Sequence, residues 1–390
     1  MTKFAFLFAA GVFIFGSSCS VYRPDLPVAP CPERPEANQP FSKARELEDV
    51  LGRLVRKGIP GVAMCVYSGE GYWEYATGYA QLEGKVPMGA CHLHYLQSIS
   101  KTYMAAAILK LYEDGKLELE ESIVKYLPKV ENFIPRAGEI SLRMLLNHTS
   151  GAPEYNSAPA YVTILLQKPE YPFTPWDYLS YIKGKPLQFE PGTKYAYCNT
   201  NYELLALVAD RITGDHARYI SEVIFKPLGL TQTFYRNEAG YLDFPHLLNA
   251  YWDRHSDGVV ENVSQMQRYN VRALVGDDGI VATPRDAVRF LKGLLEEKII
   301  SRSTLGIMQE WVKDGKGDWQ YGLGLDYARF GGEIAYGHSG GGIGAGCQLY
   351  YFPSKGLYFF VGINLGTVTD SPIHKEAEGV VEELHKILLR

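Results

Sequence analysis

Strand-forming runs crowd the two ends of this chain's globular part, and the middle is helical. The early run, GVAMCVYSGEGYWEYATGYA from Gly61 to Ala80, is two β-rich stretches about Gly69-Glu70-Gly71 and predicts a hairpin. The late runs are Ala335 to Gly337, Cys347 to Phe352 and Leu357 to Ile363, with Pro353-Ser354-Lys355-Gly356 turning between the last two. Between them lie helical patterns: Ser98 to Asp114, stopped by Gly115, and Asn201 to Ile212, stopped by Gly214. Thr174-Pro175-Trp176-Asp177 reads as a helix start, with threonine as cap and proline in the first position. Two further helices bracket the strands. One spans Ser42 to Lys57, with Ala44, Leu47, Leu51, Leu54 and Val55 on one face and Ser42 as expected N-cap; the other runs from Ser371 to Leu389. A chain with strands at both ends must bring its ends together to pair them. The expected fold is therefore α+β: one antiparallel sheet from about 42–97 and 256–390, flanked by helices, with a helical subdomain at about 98–255. With 390 residues, 46% of them apolar, the chain can bury one large core or two smaller ones.

The first 41 residues have a different character. Lys3, an apolar stretch from Phe4 to Phe15 and small residues before Cys19 form the pattern of a secretory signal. The apolar stretch is shorter than the roughly 20 residues that span a bilayer. Gly16-Ser17-Ser18-Cys19 resembles the lipobox of bacterial lipoproteins, with Gly16 in place of the usual leucine. That resemblance implies export, a lipid on Cys19 and a protein on the cell membrane or outer membrane, facing the periplasm or exterior. Residues 20–41 carry six prolines and read as a tether, reaching roughly 65 Å as polyproline II. The catalytic domain is then 42–390. The other cysteines, Cys31, Cys65, Cys91, Cys198 and Cys347, include no C-x-x-C pair, and spacing selects no disulfide. A net charge of -5 without a basic run argues against a nucleic-acid partner.

Three short motifs carry chemistry. In Ser98-Ile99-Ser100-Lys101, residues three apart share a helix face, so the amine reaches the hydroxyl. A serine needs a base to become a nucleophile, and a lysine serves once burial lowers its pKa. In Tyr197-Cys198-Asn199, tyrosine and asparagine point to one side. A phenol near a lysine is expected to ionise below its ordinary value and act as base, while the asparagine donates to and accepts from an amide. In His338-Ser339-Gly340, on a late strand, glycine admits a substrate backbone. Each motif alone is commonplace: a helix cap with a solvated lysine, a packed tyrosine with a capping asparagine, a strand.

The order S-x-x-K, Y-x-N, H-S-G resembles the serine β-lactamase and penicillin-recognising superfamily. Within it, the closest likeness is to the class C β-lactamase-related branch of D-Ala-D-Ala carboxypeptidases, D-aminopeptidases and esterases. LLNHTSG, PGTKYAYCNTNY, KPLGL, GDDGIVATPRDAVRF, YGLGL and YGHSGG stand in the same order, so the likeness covers about residues 42 to 390. It implies a β-lactamase/transpeptidase-like fold and an acyl-enzyme on Ser98, with Lys101 and Tyr197 sharing the proton transfers. It further implies substrate binding by Asn199, His338, Ser339, Gly340 and Gly341, an oxyanion hole from the backbone N–H groups of Ser98 and Gly341, and neither cofactor nor metal. The substrate would be a small molecule or peptide. The chain departs from the pattern at His338, where lysine is usual, at Cys198 and at Gln97.

Other readings compete. Gly337-His338-Ser339-Gly340-Gly341 also matches the G-x-S-x-G elbow of α/β-hydrolases, but that elbow needs a helix directly after it, and glycines follow here. Cys91-His92-Leu93-His94 lacks further ligands for a metal, and His148 reads as structural. A dead cell-wall-peptide binder has no need of Ser98, Lys101 and Tyr197 together. Histidine at 338 is largely neutral at pH 7. The expected activity is therefore cleavage of a D-amino-acid peptide or small ester, with a true β-lactamase as alternative. The oligomeric state has no signature in the sequence.

Overall fold

The computed structural model describes residues 26–32 and 38–390. Both ends of the chain build one nine-stranded antiparallel sheet. Its strands are β1 Gly61–Ser68, β2 Gly71–Gln81, β3 Val86–Pro87, β4 Val312–Lys313, β5 Trp319–Tyr321, β6 Asp326–Phe330, β7 Glu333–Gly341, β8 Gly346–Phe352 and β9 Leu357–Ile363. The spatial order is β3-β2-β1-β9-β8-β7-β6-β5-β4, so the first long strand pairs with the last. In that pairing Val62 lies opposite Ile363 and Tyr67 opposite Tyr358.

The helices that place the site are α1 Ala44–Arg56, α2 Ser100–Glu113, α3 Pro159–Gln167, α4 Thr200–Thr213, α5 Pro284–Leu295 and α6 Pro372–Leu389. Alternation along β1 sorts the two cores. Val62, Met64 and Val66 face α1 and α6, where Leu47, Leu51, Leu54 and Leu384 are buried. Ala63 and Cys65 face the larger core with α2, α4 and α5. Leu47, Val50, Leu51 and Leu54 give α1 its buried stripe. Ser42 does not cap α1; the helix begins after Lys43, whose amine instead donates to the Leu388 carbonyl of α6 (2.9 Å). Thr174 does form a capping box with Asp177.

The N-terminal segment corrects one expectation. Residues 26–32 do not extend as a tether but lie on the globule. Cys31 is bonded to Cys91, Ala29 N–H donates to the Pro245 carbonyl (2.7 Å), and Val28 is buried. Gln39 N–H donates to the Tyr72 carbonyl (3.0 Å) beside β2. A covalent link and buried apolar surface outweigh the extended preference of the prolines. Cys19 lies outside the described residues. Among the described residues no helix is long and apolar enough to cross a membrane.

Candidate active site

The serine sits at a strained turn. Gln97–Ile99 is a single 3-10 turn leading into α2, and Gln97 takes φ +49°, in the left-handed region. For a non-glycine residue that conformation costs on the order of 1–3 kcal/mol. The turn is pinned from the side by β7: a Cβ on Gly340 would stand 2.4 Å from the Leu96 carbonyl oxygen and 2.9 Å from Gln97 Cβ. Only glycine lets this strand close on the turn that carries Ser98.

Lys101, one turn on, is fully buried. Its amine donates to Ser98 Oγ (3.1 Å) and to the Asp277 carbonyl (2.9 Å). Burial pushes its pKa below the ordinary lysine value, while Asp277, Asp278, Glu154 and Glu203 pull the other way. The amine also lies 5.1 Å from the centre of the Tyr197 ring.

The Tyr197 phenol lies beside the Ser98 hydroxyl, which pulls its pKa down. More than a third of the residue faces the cleft, but its phenol end is shut in. Burial pushes that phenol well above its ordinary pKa, which corrects the expected ready ionisation: Tyr197 rests as a neutral phenol. His148, read from sequence as structural, is what holds it. The two rings lie 4.3 Å apart, Cys198 N–H donates to His148 Nδ1 (3.2 Å) and Ala196 N–H to the His148 carbonyl (3.0 Å). The Cys198 thiol is buried and donates to the Ala152 carbonyl (3.4 Å). Asn199 gives its N–H (2.5 Å) and its side-chain amide (3.3 Å) to Glu154 and makes no side-chain cap to α4.

These residues open onto a cleft of about 600 Å³ that Ser98, Tyr197, Asn199 and Gly341 all line. One wall is apolar, with Tyr161, Val162, Leu165 and Leu166 on α3 and Trp252 and Ile343 nearby. The floor holds Asp277 and Asp278, which sequence reading quoted in a longer stretch without singling out. The available signal was two adjacent acids between glycines in an otherwise apolar run.

The H-S-G motif behaves differently from expectation. His338 is buried and does not line the cleft. Its Nε2 meets the Tyr321 hydroxyl (2.8 Å), its Nδ1 meets the Ser339 carbonyl (2.5 Å), and burial lowers its pKa. It packs behind Tyr197 rather than meeting a carboxylate. Ser339 projects to the opposite face of the sheet, into a second hollow beside α6, as alternation along β7 requires. Gly340 acts through close packing, and Gly341 alone of the four residues 338–341 lines the cleft with Ser98. The elbow reading fails, because β7 turns into β8 rather than a helix. The close trio Cys31, Cys91 and His92 offers no thiolate, since its sulfurs are bonded to each other.

Comparison with known proteins agrees with this geometry. A model of the Beta-lactamase family matches residues 43–379. Penicillin-binding protein 4* of Bacillus subtilis (strain 168) is 27% identical over 363 residues, which are 87% of this chain and 76% of that protein. The crystal structure of D-amino acid amidase from Ochrobactrum anthropi SV3, complexed with L-phenylalanine amide, superposes with a TM-score of 0.78 at 24% identity. It covers 90% of this chain and 99% of that one. D-stereospecific amidohydrolase from Streptomyces sp. gives 0.74 at 25% identity, covering 87% and 98%.

Proposed function

The chain belongs to the β-lactamase family, and from that premise we propose that it is a serine hydrolase that acylates Ser98 and cleaves an amide or ester, such as a D-amino-acid peptide or small ester. The observation that carries the reading is the Ser98 hydroxyl held by the Lys101 amine (3.1 Å), with the Tyr197 phenol beside it, at the wall of a cleft. The opposed directions of the two pKa values divide the labour. Lys101 is the group pushed toward its neutral, basic form, and Tyr197 is the group kept protonated.

The reaction follows. Ser98 Oγ bonds to the substrate carbonyl carbon while its proton passes to Lys101. The carbonyl oxygen becomes an oxyanion, stabilised by the backbone N–H groups of Ser98 and Gly341. The intermediate collapses, the C–N or C–O bond breaks, and the leaving group takes a proton from Tyr197, which Lys101 replenishes. Water then adds to the acyl ester with the same pair as base, releasing the acid and restoring Ser98. The names of the Streptomyces and Ochrobactrum proteins, an amidohydrolase and an amidase, support amide cleavage.

The test is Ser98→Ala with a fluorophosphonate probe. Labelling and turnover should vanish while circular dichroism stays unchanged. Labelling that persists, or that moves only with Ser339→Ala, would refute the assignment.

A further inference from the structure

Among the described residues the cleft is charged on one side only: Asp277 and Asp278 line its floor, and no lysine, arginine or histidine lines it. Lys101 is buried behind Ser98, and both nitrogens of His338 are occupied. A substrate carboxylate would meet two acids and no cation.

The two acids are not equivalent. Asp277 accepts from the Tyr155 hydroxyl (3.0 Å) and lies against Lys101, whose amine meets its carbonyl. Among the described residues, the Asp278 carboxyl accepts from the neighbouring Gly279 N–H alone (2.6 Å). Burial, and then the charge of Asp277, push Asp278 up to about 7 against the smaller pulls of the Gly279 N–H and Lys101. Its place is fixed. A Cβ at Gly276 would stand 2.2 Å from the Tyr202 carbonyl oxygen, one at Gly279 would stand 2.7 Å from the Tyr235 ring, and Ile280 N–H donates to Ser100 Oγ (3.2 Å). The acid loop is thereby tied to the helix of the nucleophile.

A second observation lies beside it. The Gln97 side chain is buried, lines the same cleft next to Ser98, and its amide nitrogen has no partner. Gly342 leaves room for it, since a Cβ there would stand 2.3 Å from Gln97 Oε1. A buried amide with an unused donor is costly unless a ligand uses it. A ligand group that brings both an acceptor for Gln97 and a cation for Asp278 would satisfy these two side chains of the cleft. An ammonium one carbon from a carbonyl is such a group.

We infer that Asp278 and Gln97 form a subsite for a free α-ammonium, so that the enzyme selects α-aminoacyl amides or esters with an apolar side chain and disfavours substrates bearing a carboxylate there. The α3 wall of Val162, Leu165 and Leu166 takes the side chain. The inference rests on the acyl-enzyme reading of Ser98 and adds to it which acyl group is accepted.

Three phenylalanine p-nitroanilides of each enantiomer test it: the free α-ammonium, the N-acetyl and the N-succinyl derivative. With wild-type protein, kcat/KM should fall in that order, the first exceeding the second by about ten- to a hundred-fold, the worth of a charge-assisted hydrogen bond. In Asp278→Asn the ratio of ammonium to acetyl substrate should collapse toward one, and Gln97→Ala should lower it several-fold. A succinyl substrate turned over as well as the ammonium one, or a ratio that survives Asp278→Asn, would overturn the subsite. Fluorophosphonate labelling of Ser98 needs no ammonium and separates the two readings. Labelled wild type with a ratio of one defeats the subsite alone, and unlabelled wild type defeats the acyl-enzyme. Protection of wild-type Ser98 from the probe by phenylalaninamide, but not by its N-acetyl form, decides the matter without any variant.

Discussion

At the scale of the residue, the site turns on where one proton rests. Burial moves Lys101 toward the neutral amine and Tyr197 toward the neutral phenol. A base must be deprotonated to act, so acylation should fail as pH drops through the depressed Lys101 value, below the ordinary lysine range near 10.4. A phenol that donates must stay protonated, and its raised value places that loss above pH 10. The expected pH profile for a neutral ester, whose binding does not depend on Asp278, rises on the acid side and then stays flat to high pH. A profile that turns down with rising pH before pH reaches about 9 would contradict the Tyr197 assignment. Lys101→Ala and Tyr197→Phe should each slow acylation by orders of magnitude, and the double variant should lose far less than their product, because the two act as one unit. Independent losses in pre-steady-state acylation rates would argue against a shared proton. Ser98, Lys101 and Tyr197 were legible in the sequence because their relation is local or ordered along the chain. His338 was legible as a strand residue, but alternation names a face and not the group facing it; Tyr321 and Tyr197 decide that. Asp278 and Gln97 needed the tertiary structure, since nothing local shows that two segments about 180 positions apart share one cleft.

At the scale of the element, β7 and the turn before α2 form one unit. Gly340 lets the strand press on Leu96 and Gln97, and this contact lies against Gln97 at φ +49° with Ser98 beside it. Gly340→Ala should cost about 1–3 kcal/mol of stability by overpacking. It should cost more in acylation rate than that loss explains, because the displaced backbone carries Ser98. Chemical denaturation and acylation kinetics on the same preparation separate the two effects. A variant with wild-type kinetics would show that the contact does not position the nucleophile. The glycine itself was visible in the sequence as a site of close approach. What approaches was not, because the sequence read it as a substrate while the structure gives the protein's own turn. The hairpin β1–β2, the strands β7, β8 and β9 and the helices α1, α2, α4 and α6 were legible from period and punctuation, whereas β6 and α5 lay in stretches given no element. The short strands β3, β4 and β5, with too few residues to show alternation, were not.

At the scale of the whole molecule, the decisive event is the meeting of the two ends. The β1–β9 pairing joins residues some 300 positions apart, and α1 packs with α6 across the same face. The Cys31–Cys91 bond adds the N-terminal segment to this assembly, which changes how the globule relates to any anchor at Cys19. Twelve positions separate Cys19 from Cys31, and such a stretch spans at most about 40 Å, not the roughly 65 Å of a free proline-rich tether. Two links then connect anchor to globule: the continuous chain through residues 33–37, and the disulfide. A protease site placed between Pro32 and Asn38 cuts the first and spares the second. In cells expressing this variant, the cleaved globule should stay with the membrane fraction until a reductant is added and should then become soluble. Cys19→Ser should be soluble throughout. Release on cleavage without reductant would mean that the disulfide does not form in the cell. Retention after both treatments, matched by retention of Cys19→Ser, would place the membrane attachment somewhere other than Cys19; retention only with Cys19 intact would mean that the packing of residues 26–32 holds without a covalent path.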